Sequence, residues 1–285
     1  MAIFNNQATL TFGGRVTNSN LTEGEVVTRV TLTKTAVSTD YGPGDNIVYA
    51  VTLVNNDNTD RENITITDDL GRFTPSTGPE VVPLSYVSGS VLYYQNGILQ
   101  PSPTVNAGPP LVISGIDIPA GGNVIILYEA RANEYAPQGV NAAIRNNVTA
   151  TGGDLCETLT DNAEVPTRDE PTLSIAKSIC PDTLSCGDEV TYTFIIQNTG
   201  NLAVVATDNL IVSDLFNPVL DNIVVRLNGT PLVNGVGYTY NETTGEFATI
   251  GGAIPVPAAT FTRDTQTGII TVTPGVAILT VTGTI

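Results

Sequence analysis

The chain contains no histidine, no tryptophan, one methionine and only two lysines among 285 residues. Without histidine it lacks the commonest general base and the commonest transition-metal ligand. Charged residues make up only 14% of the chain, yet their formal net charge is −17. An acidic chain without a basic patch repels nucleic acid and anionic membranes. The composition therefore argues against nucleic-acid binding and against histidine-based catalysis.

Several other signals are missing from the sequence. No apolar run is long enough to span a bilayer, and no helical apolar period lasts three turns. No phosphate loop, nucleophile elbow or zinc spacing occurs, and the acidic residues scatter over turns instead of forming a paired-carboxylate cleft. We therefore expect no cofactor, no metal, no membrane insertion and no enzymatic turnover.

The chain is instead rich in Thr, Val, Ile, Asn and Gly, a composition typical of strands and tight turns. Short alternating runs include VTRVTLTK, NIVYAVTLV and EVTYTFIIQ, and turn signals such as YGPGD, NDNTD and LNGTP separate such runs. Many short strands with frequent turns are typical of β-sandwiches. The sequence therefore predicts an all-β fold.

An internal repeat indicates two copies of one domain. The segment TRVTLTKTAVSTDYGPGDNIVYAVTLVNN, starting at Thr28, aligns with PTLSIAKSICPDTLSCGDEVTYTFIIQNT, starting at Pro171. The matched positions are Lys34 with Lys177, Gly44-Asp45 with Gly187-Asp188, Tyr49 with Tyr192, Asn55 with Asn198, and Asp68 with Asp214.

The order of these motifs resembles a bacterial surface repeat catalogued as domain of unknown function 11. The shared pattern is a strand with Lys, then GD…TYT…NTG, then TD-L, and a last strand of the form N-x-A-x-V. The resemblance covers both copies, from about Thr28 to Ile285. It implies two tandem immunoglobulin-like β-sandwich domains in a long surface or appendage protein, and it implies no particular chemistry.

The second copy is shorter than the first. In the first copy, IRNNVTATGG is interpreted as the final strand, and it contains Asn146. The same spacing from Lys177 runs past Ile285, so we expect the second domain to lack its last strand. An open sandwich exposes an unpaired strand edge and part of its core, which favours a partner strand.

A candidate for that strand lies near the start of the chain, where FNNQATLTFG aligns with IRNNVTATGG. Four of its residues share one parity and can face a core together: Phe4, Ala8, Leu10 and Phe12. The strand can fold back onto its own second domain or enter that of a neighbouring copy. Donation to a neighbour needs no long reach and propagates into a filament.

The predicted organisation therefore has four parts. Residues 1–14 are a donor strand and residues 15–28 a linker. Residues 29–168 form the first sandwich, and residues 169–285 form the second, which lacks its last strand.

Lys34 and Lys177 each share a strand face with apolar residues, so both are expected to point into a core. A lone buried ammonium is costly and needs compensation. The same parity argument places Asp68, Asp214 and Asn146 on core faces. The first domain thus combines a buried Lys, Asp and Asn, which resembles the trio in Gram-positive surface sandwiches that form spontaneous Lys–Asn isopeptide bonds.

In that chemistry, the neutral lysine amine attacks the amide while Asp68 or Asp214 polarises its carbonyl and shuttles protons. Ammonia leaves, once per site. In the second domain the asparagine must come from outside, and Asn6 of a neighbour fits. Asn5 and Asn147 are the choices if the register is off by one. The alternative is a buried Lys–Asp ion pair with Asn as a hydrogen-bonding neighbour.

Cysteine pairing stays open. Cys180 and Cys186 lie in one loop and can form a local disulfide, which leaves Cys156 over. Three small buried side chains and an intermolecular disulfide are the alternatives.

These features favour a structural subunit of an extracellular fibre, on a cell or spore surface, whose partners are copies of itself. The alternative is a monomeric adhesin or glycan-binding module with its N-terminal strand folded back. The aromatic residues available for such binding are Tyr93, Tyr94, Tyr238 and Tyr240.

Overall fold

The computed structural model describes residues 2–26 and 29–285. The first strands are β1 (Ala2–Asn6), β2 (Thr9–Phe12), β3 (Arg15–Asn18) and β4 (Thr22–Val26). The next are β5 (Val30–Ala36), β6 (Asn46–Asn55), β7 (Arg61–Asp68), β8 (Leu84–Tyr86), β9 (Leu92–Gln95), β10 (Ile98–Leu99), β11 (Thr104–Asn106), β12 (Leu111–Ile118), β13 (Asn123–Ala132), β14 (Ala143–Thr151) and β15 (Leu159–Pro166). The last are β16 (Leu173–Cys180), β17 (Glu189–Asn198), β18 (Ser213–Leu215), β19 (Asp221–Leu227), β20 (Thr230–Pro231), β21 (Tyr238–Tyr240), β22 (Glu246–Thr249), β23 (Thr260–Arg263), β24 (Ile270–Thr273) and β25 (Gly275–Thr284), with a 3₁₀ turn at Ala206–Asp208.

Strands β5–β15 form two facing sheets, called here the first sandwich. One sheet has the order β10-β9-β13-β6-β5, with β8 also paired to β13, and the other has the order β11-β12-β7-β14-β15. Every second residue of β6, from Ile47 to Asn55, is buried, as the two-residue period of a strand requires. The buried aliphatic and tyrosine side chains form one core between the sheets. The predicted all-β sandwich fold is therefore confirmed.

Strands β16–β25 surround a separate core and are called here the second sandwich. Its larger sheet, β16-β17-β25-β19-β20, repeats the order β5-β6-β13-β9-β10 strand for strand. Its smaller sheet, β18-β22-β21, repeats the order β7-β12-β11, and β23 pairs with β24 in a separate hairpin. The repeat read from the sequence thus corresponds to a repeated strand order.

The two sandwiches differ at one edge. In the first, β7 pairs with β12 on one side and with β14 on the other, and β15 continues the sheet. In the second, β18 pairs only with β22, and no strand among residues 2–26 and 29–285 lies on its other side. The prediction that a single strand is missing was wrong. The segment after β14 returns as β15, whose Ala163 and Val165 are buried, so two strands of the first sandwich have no counterpart among the described residues of the second.

Residues 2–26 form a β-hairpin, called here the N-terminal hairpin. β1 pairs antiparallel with β4, and β2 pairs antiparallel with β3. Gly13 and Gly14 form the turn with φ values of 58° and 76°, which other residues rarely adopt. The predicted linker over 15–28 was therefore wrong for residues 15–26, because this turn reverses the chain into two more strands. Residues 27 and 28 lie outside the described residues.

The predicted disulfide is absent from the structure, where Cys180 and Cys186 are free, exposed thiols. Cys180 is held in the ladder opposite Thr191, whereas Cys186 lies in the loop that follows β16. Cys156 is also free and exposed. In the described parts of the chain, no helix has the length and hydrophobicity needed to cross a membrane.

A buried asparagine anchors the same turn in both sandwiches. Nδ2 of Asn55 donates to the carbonyl oxygens of Thr59, at 2.8 Å, and Pro119, at 3.1 Å, while Oδ1 accepts from the Asp57 amide. Its counterpart Asn198 makes equivalent bonds to backbone groups around its own turn. Because these backbone groups lie at the ends of strands, the amide replaces ladder bonds that the turn cannot make.

Replacing Asn55 by Ala leaves these backbone groups without partners. We expect a loss of about 1–3 kcal/mol in the free energy of unfolding of the first sandwich. Urea-induced unfolding measures this loss. Asn58→Ala, at an exposed position of the same loop, is the control and should cost less than about 0.5 kcal/mol. Equal costs for the two variants would contradict the anchoring role of Asn55.

Candidate functional site

Lys34 lies in the core of the first sandwich. It occupies a core-facing position of β5 and is 3% exposed. Asp68 ends β7 in the facing sheet and is also buried, and Nζ of Lys34 donates a hydrogen bond to its Oδ2. Each charge compensates the other in a site that excludes water. The structure therefore brings together two of the residues that the sequence singled out.

Two tyrosines line this site. The rings of Tyr49 and Tyr128 stack with centroids 5.6 Å apart. Nζ of Lys34 is 4.8 Å from the Tyr49 ring centroid and 6.0 Å from that of Tyr128, and the Tyr128 hydroxyl donates to Asp68 Oδ2. The sequence reading missed Tyr128. Its alternation within NVIILYEARA is the signal that places it on the buried face of β13, opposite Tyr49.

Asn146 completes the group from β14 and is fully buried. Its Oδ1 accepts a hydrogen bond from the Gly71 amide at 3.1 Å, whereas its Nδ2 is buried with no partner among the described residues. The Asn146 amide is close enough to both tyrosines to oppose the rise in their pKa. A backbone donor therefore polarises the Asn146 carbonyl, while the amide nitrogen makes no hydrogen bond. Both features favour attack of a nucleophile on Cγ.

The turn after β7 creates this arrangement. Leu70 and Gly71 both have positive φ, at 55° and 75°, and Oδ1 of Asp68 accepts a hydrogen bond from the Leu70 amide. The tight reversal holds the Asp68 carboxylate and points the Gly71 amide at Asn146. A Cβ on residue 71 would lie 2.7 Å from Ile144, so glycine is also required for close packing against β14.

Burial shifts the protonation equilibria of the site. Desolvation lowers the pKa of Lys34 below its usual value, although the nearby Asp68 carboxylate opposes the shift. Desolvation raises the pKa of Tyr49 and Tyr128, so both hydroxyls stay protonated and can donate. The site therefore favours a neutral, nucleophilic amine more than a solvated lysine does.

The second sandwich contains the same ion pair in an open setting. Nζ of Lys177 donates to Oδ2 of Asp214, but the two side chains are 40% and 19% exposed. Three aromatic rings lie near the amine, with centroids 4.6 Å away for Tyr192 and 5.4 Å away for Phe194 and Phe216. None of the described strands is a counterpart of β14, and hence none supplies a counterpart of Asn146.

The strand that carries Lys177 is uncovered along its length. In the first sandwich Val30 is 4% exposed, whereas its counterpart Leu173 is 41% exposed. Ile175 is 58% exposed, and Ile179 is also exposed. These three residues and Lys177 are called here the open face. Isolated exposed apolar residues are ordinary, but a contiguous row beside an unpaired strand edge indicates a missing partner.

The predicted donor residues lie apart from this face. Phe4, Leu10 and Phe12 are exposed in the N-terminal hairpin, Ala8 lies between β1 and β2, and Asn6 pairs with Thr22. Because nearly all of the hairpin is exposed, it does not cover the open face of its own chain. The structure thus joins Lys34 with Asp68 and Lys177 with Asp214, and it buries Asn146 against the turn that follows Asp68, but it does not bring Asn6 to Lys177.

No family model and no curated protein matches the sequence. The resemblance to domain of unknown function 11 therefore stays a prediction. Solved structures with a similar fold include BcpA, the major pilin subunit of Bacillus cereus, with 13% identity over 89% of this chain and 64% of that chain and a TM-score of 0.37. SpaD, the major pilin of Corynebacterium diphtheriae, has 11% identity over 85% of this chain and 60% of that chain, with a TM-score of 0.36.

The pilus backbone RrgB of Streptococcus pneumoniae has 14% identity over 86% of this chain and 55% of that chain, with a TM-score of 0.34. The chain thus spans less than two thirds of the length of each of these three structures. At these identities and TM-scores, the likeness is limited to the general all-β architecture.

Removing the carboxylate of Asp68 and removing that of Asp214 should lower the free energy of unfolding by very different amounts. In an Asn146→Ala background, where no Lys34–Asn146 bond can form, Asp68→Ala leaves a buried ammonium unpaired. We expect it to lower the free energy of unfolding of the first sandwich by about 3–5 kcal/mol. Asp214→Ala should cost the second sandwich about 1 kcal/mol or less, because Lys177 stays hydrated.

Urea unfolding followed by hydrogen exchange, which reports on each sandwich separately, measures both costs. Similar costs for Asp68→Ala and Asp214→Ala would contradict the difference in burial between the two sites.

Proposed function

We propose that this protein is the structural subunit of an extracellular bacterial fibre, a pilus or a spore appendage. In this assembly the N-terminal strand of one copy completes the second sandwich of the next copy. The open face of β16 beside the unpaired edge of β18 is the observation that carries the proposal. The fibre lies at a cell or spore surface, and its partners are copies of itself.

The first sandwich is the template for the completed site. There β14 pairs with β7 so that Val148 lies opposite Asp68, and Asn146 accepts a hydrogen bond from the Gly71 amide in the turn that follows Asp68. The donor strand FNNQATLTFG aligns with β14, so Asn6 takes the position of Asn146. Phe4, Leu10 and Phe12, which are exposed in the single chain, then face the open core.

The contact joins different surfaces of the two copies. A donor at one end and an acceptor at the other form a heterologous interface, and the acceptor of each added copy remains open. Such an interface propagates into a filament instead of closing as a dimer. This arrangement also accounts for the exposed hairpin. A strand folded back on its own second sandwich would occupy the acceptor site that the next copy needs.

The buried site closes covalently. Lys34 Nζ attacks Cγ of Asn146, a new C–N bond forms, and the bond from Cγ to Nδ2 breaks. Asp68 carries a proton from Nζ to the departing nitrogen, which leaves as ammonia. The Gly71 amide stabilises the negative charge that develops on Oδ1. The reaction needs no oxidant and occurs once per site.

The same reaction joins neighbouring subunits. Lys177 Nζ attacks Cγ of Asn6 of the next copy, and Asp214 takes the place of Asp68. The donor strand provides the asparagine and removes water from the site in one step. Asn5 takes this part instead if the register is shifted by one residue.

A monomeric adhesin or glycan-binding module is the second candidate. It requires exposed aromatic side chains, and the candidates were Tyr93, Tyr94, Tyr238 and Tyr240. Tyr93 and Tyr238 are buried, and the Tyr93 hydroxyl binds the Asp117 carbonyl at 2.8 Å. The Tyr240 hydroxyl bonds to backbone groups of Leu220. Three of these four tyrosines thus pack in the structure and Tyr94 is half-buried, which favours the fibre subunit.

The first-sandwich bond predicts a mass loss in the intact chain. The reduced protein should be lighter by one ammonia than its sequence mass, in intact-protein mass spectrometry under denaturing conditions. Lys34→Ala and Asn146→Ala should each restore the full mass. Asn147→Ala is the matched control and should keep the loss, because the Asn147 side chain bonds to Asp69 outside the site. A wild-type chain at full sequence mass would exclude the bond.

The bond between subunits predicts a ladder of multimers in denaturing gels after boiling with reductant. Peptide mass spectrometry should find a Lys177 peptide joined to an Asn6 peptide, lighter by one ammonia. Lys177→Arg and Asn6→Ala should each reduce the ladder to a monomer band, whereas Asn5→Ala should retain it. A wild-type monomer band with intact lysines would exclude this bond, and a failure of electron microscopy to find undenatured filaments would exclude the fibre.

A further inference from the structure

We infer that subunits exchange the whole N-terminal hairpin, residues 2–26, and that Arg29, which follows the hairpin, pairs with Asp188 of the copy that receives it. This inference rests on the proposed fibre assembly and names the element that passes between copies. Both strands of the hairpin then bind the neighbouring copy, and an ion pair forms next to the hairpin.

The gap in the second sandwich is two strands wide. The first sandwich is closed by the antiparallel pair β14 and β15, and the second has no described counterpart of either. A single donor strand beside β18 replaces β14 only. The N-terminal hairpin has a second antiparallel strand of similar length, formed by β3 and β4, which is available to replace β15.

The returning strands also match in sequence. The hairpin ends in the nine residues LTEGEVVTR, from Leu21 to Arg29, which match the ten residues LTDNAEVPTR around β15, from Leu159 to Arg168, with a one-residue gap. The first strands of each pair match as FNNQATLTFG and IRNNVTATGG. The likeness therefore runs through both strands and beyond them into the segment that leads to the next sandwich.

The hairpin register in the free chain differs from that of β14 and β15. Phe4 lies opposite Gly24, whereas Ile144 lies opposite Val165. The sequence match places Val26 opposite Phe4, a shift of two residues. For β1 and β4 this even shift keeps the same side chains on the same face, whereas β2 and β3, whose register is offset by one residue, change register by three.

β15 shows what the second strand contributes. It lies next to β5, where Oδ2 of Asp161 accepts a hydrogen bond from the Lys34 amide at 2.6 Å. Ala163 and Val165 of this strand are buried in the core of the first sandwich. The equivalent strand of the hairpin covers β16, which exposes Leu173 and Ile175 in the single chain.

An ion pair lies where the first sandwich connects to the second. After β15, Nη2 of Arg168 lies 3.0 Å from Oδ2 of Asp45, and the Arg168 amide donates to the Tyr41 carbonyl at 2.8 Å. Asp45 is set in its turn by the Gly42 amide, and its counterpart Asp188 accepts the Ser185 amide in the same way. Asp188 is exposed, and it has no arginine partner among the described residues.

Arg29 corresponds to Arg168 when the hairpin is matched to β14 and β15, and to Thr172 when the two sandwiches are matched, since the carbonyl of each accepts a hydrogen bond from the turn after the second strand. Arg29 is exposed and contacts Asp57 of its own chain through Nη1 at 2.7 Å, which leaves its other guanidinium donors available. When the hairpin occupies the second sandwich of a neighbour, Arg29 follows it at the spacing of Arg168 and pairs with Asp188. Each hairpin thus closes the preceding sandwich and leads into the next, with a shorter connection than within one chain, because Arg29 directly precedes β5 whereas four residues separate Arg168 from β16.

Hydrogen exchange of assembled filaments tests this arrangement. The amide exchange rates of peptides covering 2–12 and 15–26 should both fall at least about tenfold relative to unassembled chains. In the unassembled chain the hairpin exchanges fast, because an isolated hairpin is only marginally stable in water. Protection of 2–12 alone would overturn the hairpin inference and retain single-strand donation. Protection of neither stretch would overturn both this inference and the proposed function.

Charge reversal tests the joint separately. Arg29→Glu should slow filament growth about tenfold or more, because it faces Asp188 with a like charge. The double variant Arg29→Glu with Asp188→Arg should restore growth. Arg72→Glu is the matched control, since Arg72 also pairs with one carboxylate of the first sandwich, Glu80, and takes no part in the assigned ion pair. Equal growth of the Arg29→Glu and Arg72→Glu variants, or no rescue by a folded double variant, would overturn the assigned ion pair.

Discussion

The contact between Lys34 and Asp68 is the interaction that sets the requirements for the rest of the first sandwich. A lysine in a core is tolerated only if its charge is compensated and its remaining surroundings are dry. The carboxylate comes from β7, the tyrosine walls come from β6 and β13, and β14 and β15 exclude water. Every layer of the domain thus contributes to one buried pair. Removing the two closing strands leaves the same pair in contact with solvent, as in the second sandwich.

The two sandwiches therefore represent one architecture with and without its closing hairpin. Their larger sheets have the same strand order, and their lysines and aspartates make the same contact. The differences are concentrated at β16 and at the free edge of β18. Since the core residues of the second sandwich are otherwise buried, the domain folds around an incomplete edge instead of rearranging to hide it.

Much of the fold follows from alternation in the sequence, and part of the site follows as well. Lys34, Asp68 and Asn146 each share a parity with apolar neighbours, so their common core is predictable. Strand β15 was missed because TDNAEVP is polar at every outward position and reads as a connector. The returning half of the N-terminal hairpin was missed for the same reason. Only tertiary pairing shows that such polar segments form strands, because edge strands bury one face at most.

Under the proposed assembly, the different exposure of the two lysines separates folding from cross-linking. Lys34 and Asn146 belong to one chain and are both buried in the folded first sandwich. Lys177 stays partly hydrated until a partner covers it, and water then competes for both the amine and Asp214. Under the proposed assembly, docking of the hairpin supplies the amide and the low dielectric together. The covalent bond can therefore form only at a correctly occupied joint, and misplaced contacts between subunits stay reversible.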